Sequence, residues 1–142
     1  GAATASGHSG AATASGYSGA ATASGDYGAA TASGDYGAAT ASGHSGAATA
    51  SGYSGAATAS GDYGAATASG DSGAATASGY KSIAVVTGRD GRAKGALGSW
   101  IVLTERDVSW NILGVQAVPV DGATIKADQF YRLVNGAIVE VA

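Results

Sequence analysis

The sequence predicts an all-β fold: a thin, two-sided parallel β-solenoid of 18 residues per coil over residues 1–99, closed by a small C-terminal β-meander cap over 100–142. Three observations predict it. Residues 1–81 are nine consecutive copies of one nine-residue unit. Each copy holds a strand-length segment between two glycines. The large apolar side chains are confined to the residues after position 81.

The repeat comes first because it excludes most alternatives. Its unit is Gly1-Ala2-Ala3-Thr4-Ala5-Ser6-Gly7 followed by a variable pair, and positions 1–7 are invariant through nine copies. Such low complexity usually signals disorder, but a strict period is the signature of stacked repeats. Two Gly and one Thr in every nine residues would penalise each helical turn, and nothing recurs at a 3.6 period. A short strand plus a Gly-bracketed turn fits nine residues. The glycine at position 7 is expected to take a positive φ at the corner; the one at position 1 either repeats that role or lets backbones approach closely. Two units then make one coil. The variable pairs run His8-Ser9, Tyr17-Ser18, Asp26-Tyr27, Asp35-Tyr36 and then His44-Ser45, Tyr53-Ser54, Asp62-Tyr63, Asp71-Ser72. That is a super-repeat of two whole coils. Two degenerate copies follow, Ser82–Asp90 and Gly91–Ser99.

Strand residues alternate between faces, so either positions 3 and 5 or positions 2, 4 and 6 point inward. The degenerate copy decides: Arg92 and Lys94 occupy positions 2 and 4, and a narrow interior cannot hold them. Ala3, Ala5, Ala12, Ala14, Ala21, Ala23 and their equivalents are therefore the inward ladder. Thr4, Thr13, Thr22, Thr31, Thr40, Thr49 and their equivalents form outward columns. A buried alanine methyl contributes only about 0.8 kcal/mol. Stability must then come from continuous backbone ladders and nearest-neighbour stacking.

After Ser99 the composition changes. Trp100–Leu103 opens a region rich in Val, Ile and Leu. Val115–Val120 reads as an edge strand, because Pro119 cannot donate to a central ladder. Asp121-Gly122 is a turn. Phe130–Val134 and Ala137–Val141 flank Asn135-Gly136, a strong two-residue hairpin signal. Trp100, Trp110, Phe130, Tyr131 and Leu133 are the expected cap residues, with Ile83, Val85 and Leu97 marking where the cap lies over the rod. A capped end removes an open strand edge that would template aggregation.

The repeat resembles the AATSG-type nonapeptide arrays, with units such as ST-AATSG-DY, of gut-associated bacteria and their phages. The segments Ala93–Trp100, Ile101–Glu105, Val120–Gly122, Ile125–Asp128 and Tyr131–Leu133 resemble that family's terminal region. This chain departs from the pattern in reading GAATASG, with Thr and Ala exchanged at positions 4 and 5. The resemblance implies architecture and a phage association rather than a chemistry.

Charge and composition narrow function by exclusion. The net charge is −3. Four aspartates against Lys81 fall in residues 1–81, and six acids balance six bases in 82–142. Neither part is basic enough to recruit nucleic acid. No apolar run is long enough to span a membrane, and with no Cys there is no disulfide framework. The chain opens in repeat register without Met, which reads as a fragment whose N-terminal cap or domain is missing; self-association through that uncapped coil is the matching expectation.

Candidate chemistry is weighed and set aside. His8 and His44 share a corner column two coils, or about 9.6 Å, apart, too far for one Zn²⁺. The Asp corners lack the paired glycines of the calcium β-roll. Gly88–Gly95 lacks the ending of a phosphate loop and lies in repeat register. No nucleophile–base set, metal cluster or cofactor loop is present, so the chain is expected to be non-enzymatic, with no cofactor. The expected function is a structural rod or spacer in a larger phage or bacterial surface protein. The alternatives are a binding module using the flat Thr/Ser faces or Tyr corners for glycan or ice, and a self-assembling, fibre-forming module.

Overall fold

The computed structural model describes residues 1–141. Every element in it is a strand. The exact repeats give β1 (Ala2–Ala5), β2 (Ala11–Ala14), β3 (Ala20–Ala23), β4 (Ala29–Ala32), β5 (Ala38–Ala41), β6 (Ala47–Ala50), β7 (Ala56–Ala59), β8 (Ala65–Ala68) and β9 (Ala74–Ala77). The degenerate copies give β10 (Ile83–Val86) and β11 (Arg92–Gly95). Beyond them lie β12 (Trp100–Arg106), β13 (Ile112–Pro119), β14 (Phe130–Val134) and β15 (Ala137–Val141).

Successive strands alternate between two sheets. One has the order β1-β3-β5-β7-β9-β11-β14-β15, the other β13-β12-β10-β8-β6-β4-β2. Within the repeats each strand pairs in parallel with the strand 18 residues on, position for position: Ala21 with Ala39, Thr22 with Thr40. The result is a β-solenoid of about 6 turns. At the ~4.8 Å strand spacing of a sheet the rod is roughly 29 Å long.

The inward ladder is the one the degenerate copy selects. Ala21 and Ala23 are fully buried, and the same two positions stay buried through Ala75 and Ala77. Ala12 and Ala14 are buried, because β2 is packed across the interior by both β1 and β3; Ala3 and Ala5 are half-buried, because β1 ends the stack and only β2 faces it. Alanines at position 2 face solvent along most of the rod. The interior then widens toward the C-terminal end, from Ala84 and Val86 to Ile101, Leu103 and Val120, all buried.

The corners differ from expectation in one respect. None of the glycines at positions 1 and 7 has a positive φ. Their constraint is space. A Cβ on Gly25 would lie 1.7 Å from the carbonyl oxygen of Gly7, one coil away, and one on Gly28 would lie 2.9 Å from the Ala23 methyl. Glycine is required because stacked backbones touch at the corner. The positive φ angles fall instead on the ninth residue of several corners: Ser45, Tyr63, Ser72, Lys81 and Asp90. Most repeat corners are β-turns closed by bonds such as Gly28 N–H to Gly25 O, 3.0 Å. A positive φ at the third residue of such a turn makes it type II rather than type I and flips the central peptide.

That flip is visible in the ladder. Tyr27, Tyr36 and Ser54 donate their N–H groups to the preceding coil, at His8, Tyr17 and Asp35. Ser45, Tyr63 and Ser72 donate to the following coil, at Asp62, Tyr80 and Arg89. Since N–H and C=O of a trans peptide point opposite ways, the carbonyls of Asp26 and His44 face each other where the direction reverses.

The four C-terminal strands do not make one meander. β13 folds back antiparallel on β12 in one sheet, whereas β14 pairs antiparallel with β11 and β15 with β14 in the other. The two sheets of the rod are thus each extended by local antiparallel strands. A single meander would need β13 beside β14, but β13 pairs with β12 and β14 with β11, on opposite sides of the buried Leu103, Leu133 and Tyr131. The Asn135-Gly136 turn has φ of 51° and 78°, the two left-handed residues of a type I′ hairpin.

Candidate functional site

Three surfaces carry the side chains that could act on a partner: the flat faces, the corners and the C-terminal end. The flat faces follow directly from register. Thr4 lies over Thr22 and then Thr40 on one sheet, and Thr13 over Thr31 and Thr49 on the other. Thr4 and Thr13 are exposed, while Thr22, Thr31, Thr40 and Thr49 are partly exposed between neighbouring coils. Each Thr is flanked by Ala at position 2 and Ser at position 6, so a row reads Ala-Thr-Ser.

The corners carry aromatic pairs. His8 packs edge-on against Tyr27 with ring centroids 5.2 Å apart, Tyr17 against Tyr36 at 5.2 Å, and His44 against Tyr63 at 5.0 Å. Each pair joins one coil to the next, the distance a 4.8 Å coil rise allows. Partial desolvation, then the neighbouring Tyr36 phenol, raises the Tyr17 pKa. His8 Nδ1 lies 3.8 Å from Asp26 Oδ2 with both side chains well exposed, so this contact is weak. Among the described residues no group of three His, Asp or Glu converges.

The basic glycine-rich stretch lies within the coils. Arg89 Nη2 donates to Asp71 Oδ2 at 2.7 Å, one coil back in the same corner column. That hydrogen bond, then the Asp71 charge, raises the Arg89 pKa. Arg92 and Lys94 project outward and sit 4.8 Å and 4.6 Å from the Phe130 ring centroid. Arg132 Nη2 donates to Asp90 Oδ1 at 2.6 Å. These cations bind the C-terminal strands to the last coils.

At the C-terminal end, Tyr131 and Leu133 are buried and Phe130 is half-buried. Trp110 is 41% exposed, with Arg106 and Arg89 at 5.4 Å and 5.9 Å from its ring. Trp100 is 47% exposed on the outer face. Ile83 and Leu97 are exposed as well. They are therefore not covered by the strands beyond them, because those strands continue the sheets instead of lying across them. Glu105 accepts the N–H groups of Asn135 and Gly136 at 2.6 Å and 3.0 Å, tying the hairpin turn to β12. Asp121 Oδ1 accepts from Ala123 and Ile125, and Asp107 from Ser109 and Asn111. Hydrogen bonds lower both carboxyl pKa values, Ile125's amide first for Asp121 and the Asn111 side chain first for Asp107.

Between the last strands of the two sheets a cleft of about 400 Å³ opens, lined by Val118, Pro119, Ile125, Tyr131 and Ile138 together with the polar Asp121, Thr124 and Glu140. Sequence reasoning missed it. The signal was the shift from Ala to Val and Ile at inward positions, which widens the interior faster than side chains fill it. Among the described residues no helix is long and apolar enough to cross a membrane. Comparison with protein-family models, with curated proteins and with solved structures found no match.

Proposed function

We propose that this chain is a non-catalytic structural rod or spacer whose C-terminal strands cap it, and that it serves within a larger phage or bacterial surface protein. The observation that carries the reading is the unbroken register. Each strand from β1 to β9 pairs in parallel with the strand 18 residues on, with identical alanine methyls inside those nine strands. Length therefore grows with copy number while the cross-section stays fixed, which is the property a spacer needs. Sequence variation among the exact repeats is confined to the corner pairs, outside the inward alanine ladder. The resemblance to nonapeptide arrays of gut-associated bacteria and their phages supports the setting.

The test is a copy-number series with fluorophores at both ends. Each added pair of units should lengthen the rod by about 4.8 Å, and energy transfer should fall accordingly. A distance that does not change with copy number overturns the spacer reading.

A second reading is favoured by the threonine registry: the flat faces would bind an ordered hydroxyl lattice, ice or a crystalline glycan. Thermal hysteresis and glycan-array binding test it. Silence in both refutes it.

A further inference from the structure

We propose that the C-terminal strands, although they cover the interior of the last coil, leave the edge of β13 open, and that this edge pairs with the same edge of a second copy into a two-fold tail-to-tail dimer. β13 is the longest strand and the outermost of its sheet. It reads Ile-Leu-Gly-Val-Gln-Ala-Val-Pro and carries no charge. Exposed edges are normally blunted by charge, proline or bulges. Here those devices stand only at the two ends: a register shift opposite Glu105 and Arg106, and Pro119. Between them Gly114–Val118 is an undistorted edge, symmetric about Gln116.

The hydrogen-bonding direction follows from its partner strand. Val120 donates to Ser99 O at 2.8 Å, and Pro119, opposite Trp100, has no N–H. Antiparallel pairs alternate, so Gly114, Gln116 and Val118 bond to β12, and Val115 and Ala117 turn N–H and C=O outward. An antiparallel strand pair is isologous, so one edge serves both sides of a two-fold axis. Centred on Gln116, the axis sets Val115 opposite Ala117 of the second copy, twice, with four backbone bonds. It also places the bulge of one copy beside Pro119 of the other.

Two observations make the second copy the occupant. The edge meets itself without like charges, whereas β15, the last strand of the other sheet, carries Glu140 paired with Lys126 at 3.2 Å. The end cleft adjoins the same edge: Val118 and Pro119 of β13 form one wall, and Asp121 and Glu140 place carboxylates at its margin, Glu140 being paired with Lys126; a second rod end would cover its apolar part.

Sedimentation velocity and small-angle scattering on the full chain test the proposal. The expected result is twice the chain mass and about twice the rod length. Two double variants then separate pairing from folding. Val115 and Ala117 are exposed, so each monomer should keep its circular dichroism spectrum. V115K/A117K sets lysine opposite lysine and should give monomers, since like charges directly opposite destabilise a strand pair. V115K/A117E sets lysine opposite glutamate and should restore the dimer in a salt-sensitive form. A monomeric parent chain overturns the proposal, as does a dimer that survives V115K/A117K. So does a V115K/A117E variant that stays monomeric.

Discussion

Replacing Gly52 by alanine should be among the most damaging single-methyl changes in this protein. The added Cβ would lie 1.7 Å from the Gly34 carbonyl oxygen and 2.5 Å from its carbon, where ordinary contact begins near 3.4 Å. Both atoms belong to backbone, so no side chain can swing aside. Relief requires the two coils to part locally, and the bonds that cross there are Ser51 N–H to Ala32 O, Ser54 N–H to Asp35 O and Ala56 N–H to Gly37 O. Losing about two such bonds at ~1 kcal/mol each, with overpacking of ~1–3 kcal/mol, gives a cost of about 3–5 kcal/mol. The same substitution at Gly7 meets no atom within 4 Å, and should fall within about 0.5 kcal/mol of the parent. Urea denaturation followed by circular dichroism compares them. Because each coil is stabilised by its neighbours, Gly52→Ala should also lower the slope of the first transition by splitting the rod. Equal midpoints for Gly7→Ala and Gly52→Ala would refute stacked corners.

Three further outcomes are expected. Leu103→Ala, at a fully buried position, should cost about 2–5 kcal/mol, whereas Ala50→Gly should cost about 1–2 kcal/mol from a lost methyl and a freer unfolded chain; thermal unfolding ranks the two. Glu105→Ala removes both acceptors of the Asn135-Gly136 turn and should speed amide exchange across β14 and β15 before the repeats respond. Asp107 and Asp121 have folded pKa values below the ordinary carboxylate value, so they stabilise the fold above about pH 4 and lose that contribution as pH falls through their folded values. The melting temperature should therefore drop on acidification below about pH 4, and less steeply in Asp121→Asn.

Much of the rod was legible because a repeat leaves few choices. A nine-residue period with two glycines fixes strand and corner, and Arg92 and Lys94 fix the inward face by the cost of burying charge. The Asn135-Gly136 hairpin was equally local, and the strands appear at the residues that flank it. The candidate surfaces were legible only as columns: that Thr4, Thr22 and Thr40 align is arithmetic once the coil has 18 residues.

What the sequence by itself determined is the coil, its inward alanines and the terminal hairpin, since each depends on contacts within or one period beyond a unit. Only the tertiary structure decided the role of the glycines, the division of β12–β15 between two sheets and the outward placement of Ile83, Trp100 and Leu97. The physical reason is the same in each case. A glycine kept for φ and one kept for space look alike in sequence, and an apolar strand can cover a rod or extend it. Which occurs is set by atoms of another coil, whose distance no local pattern encodes.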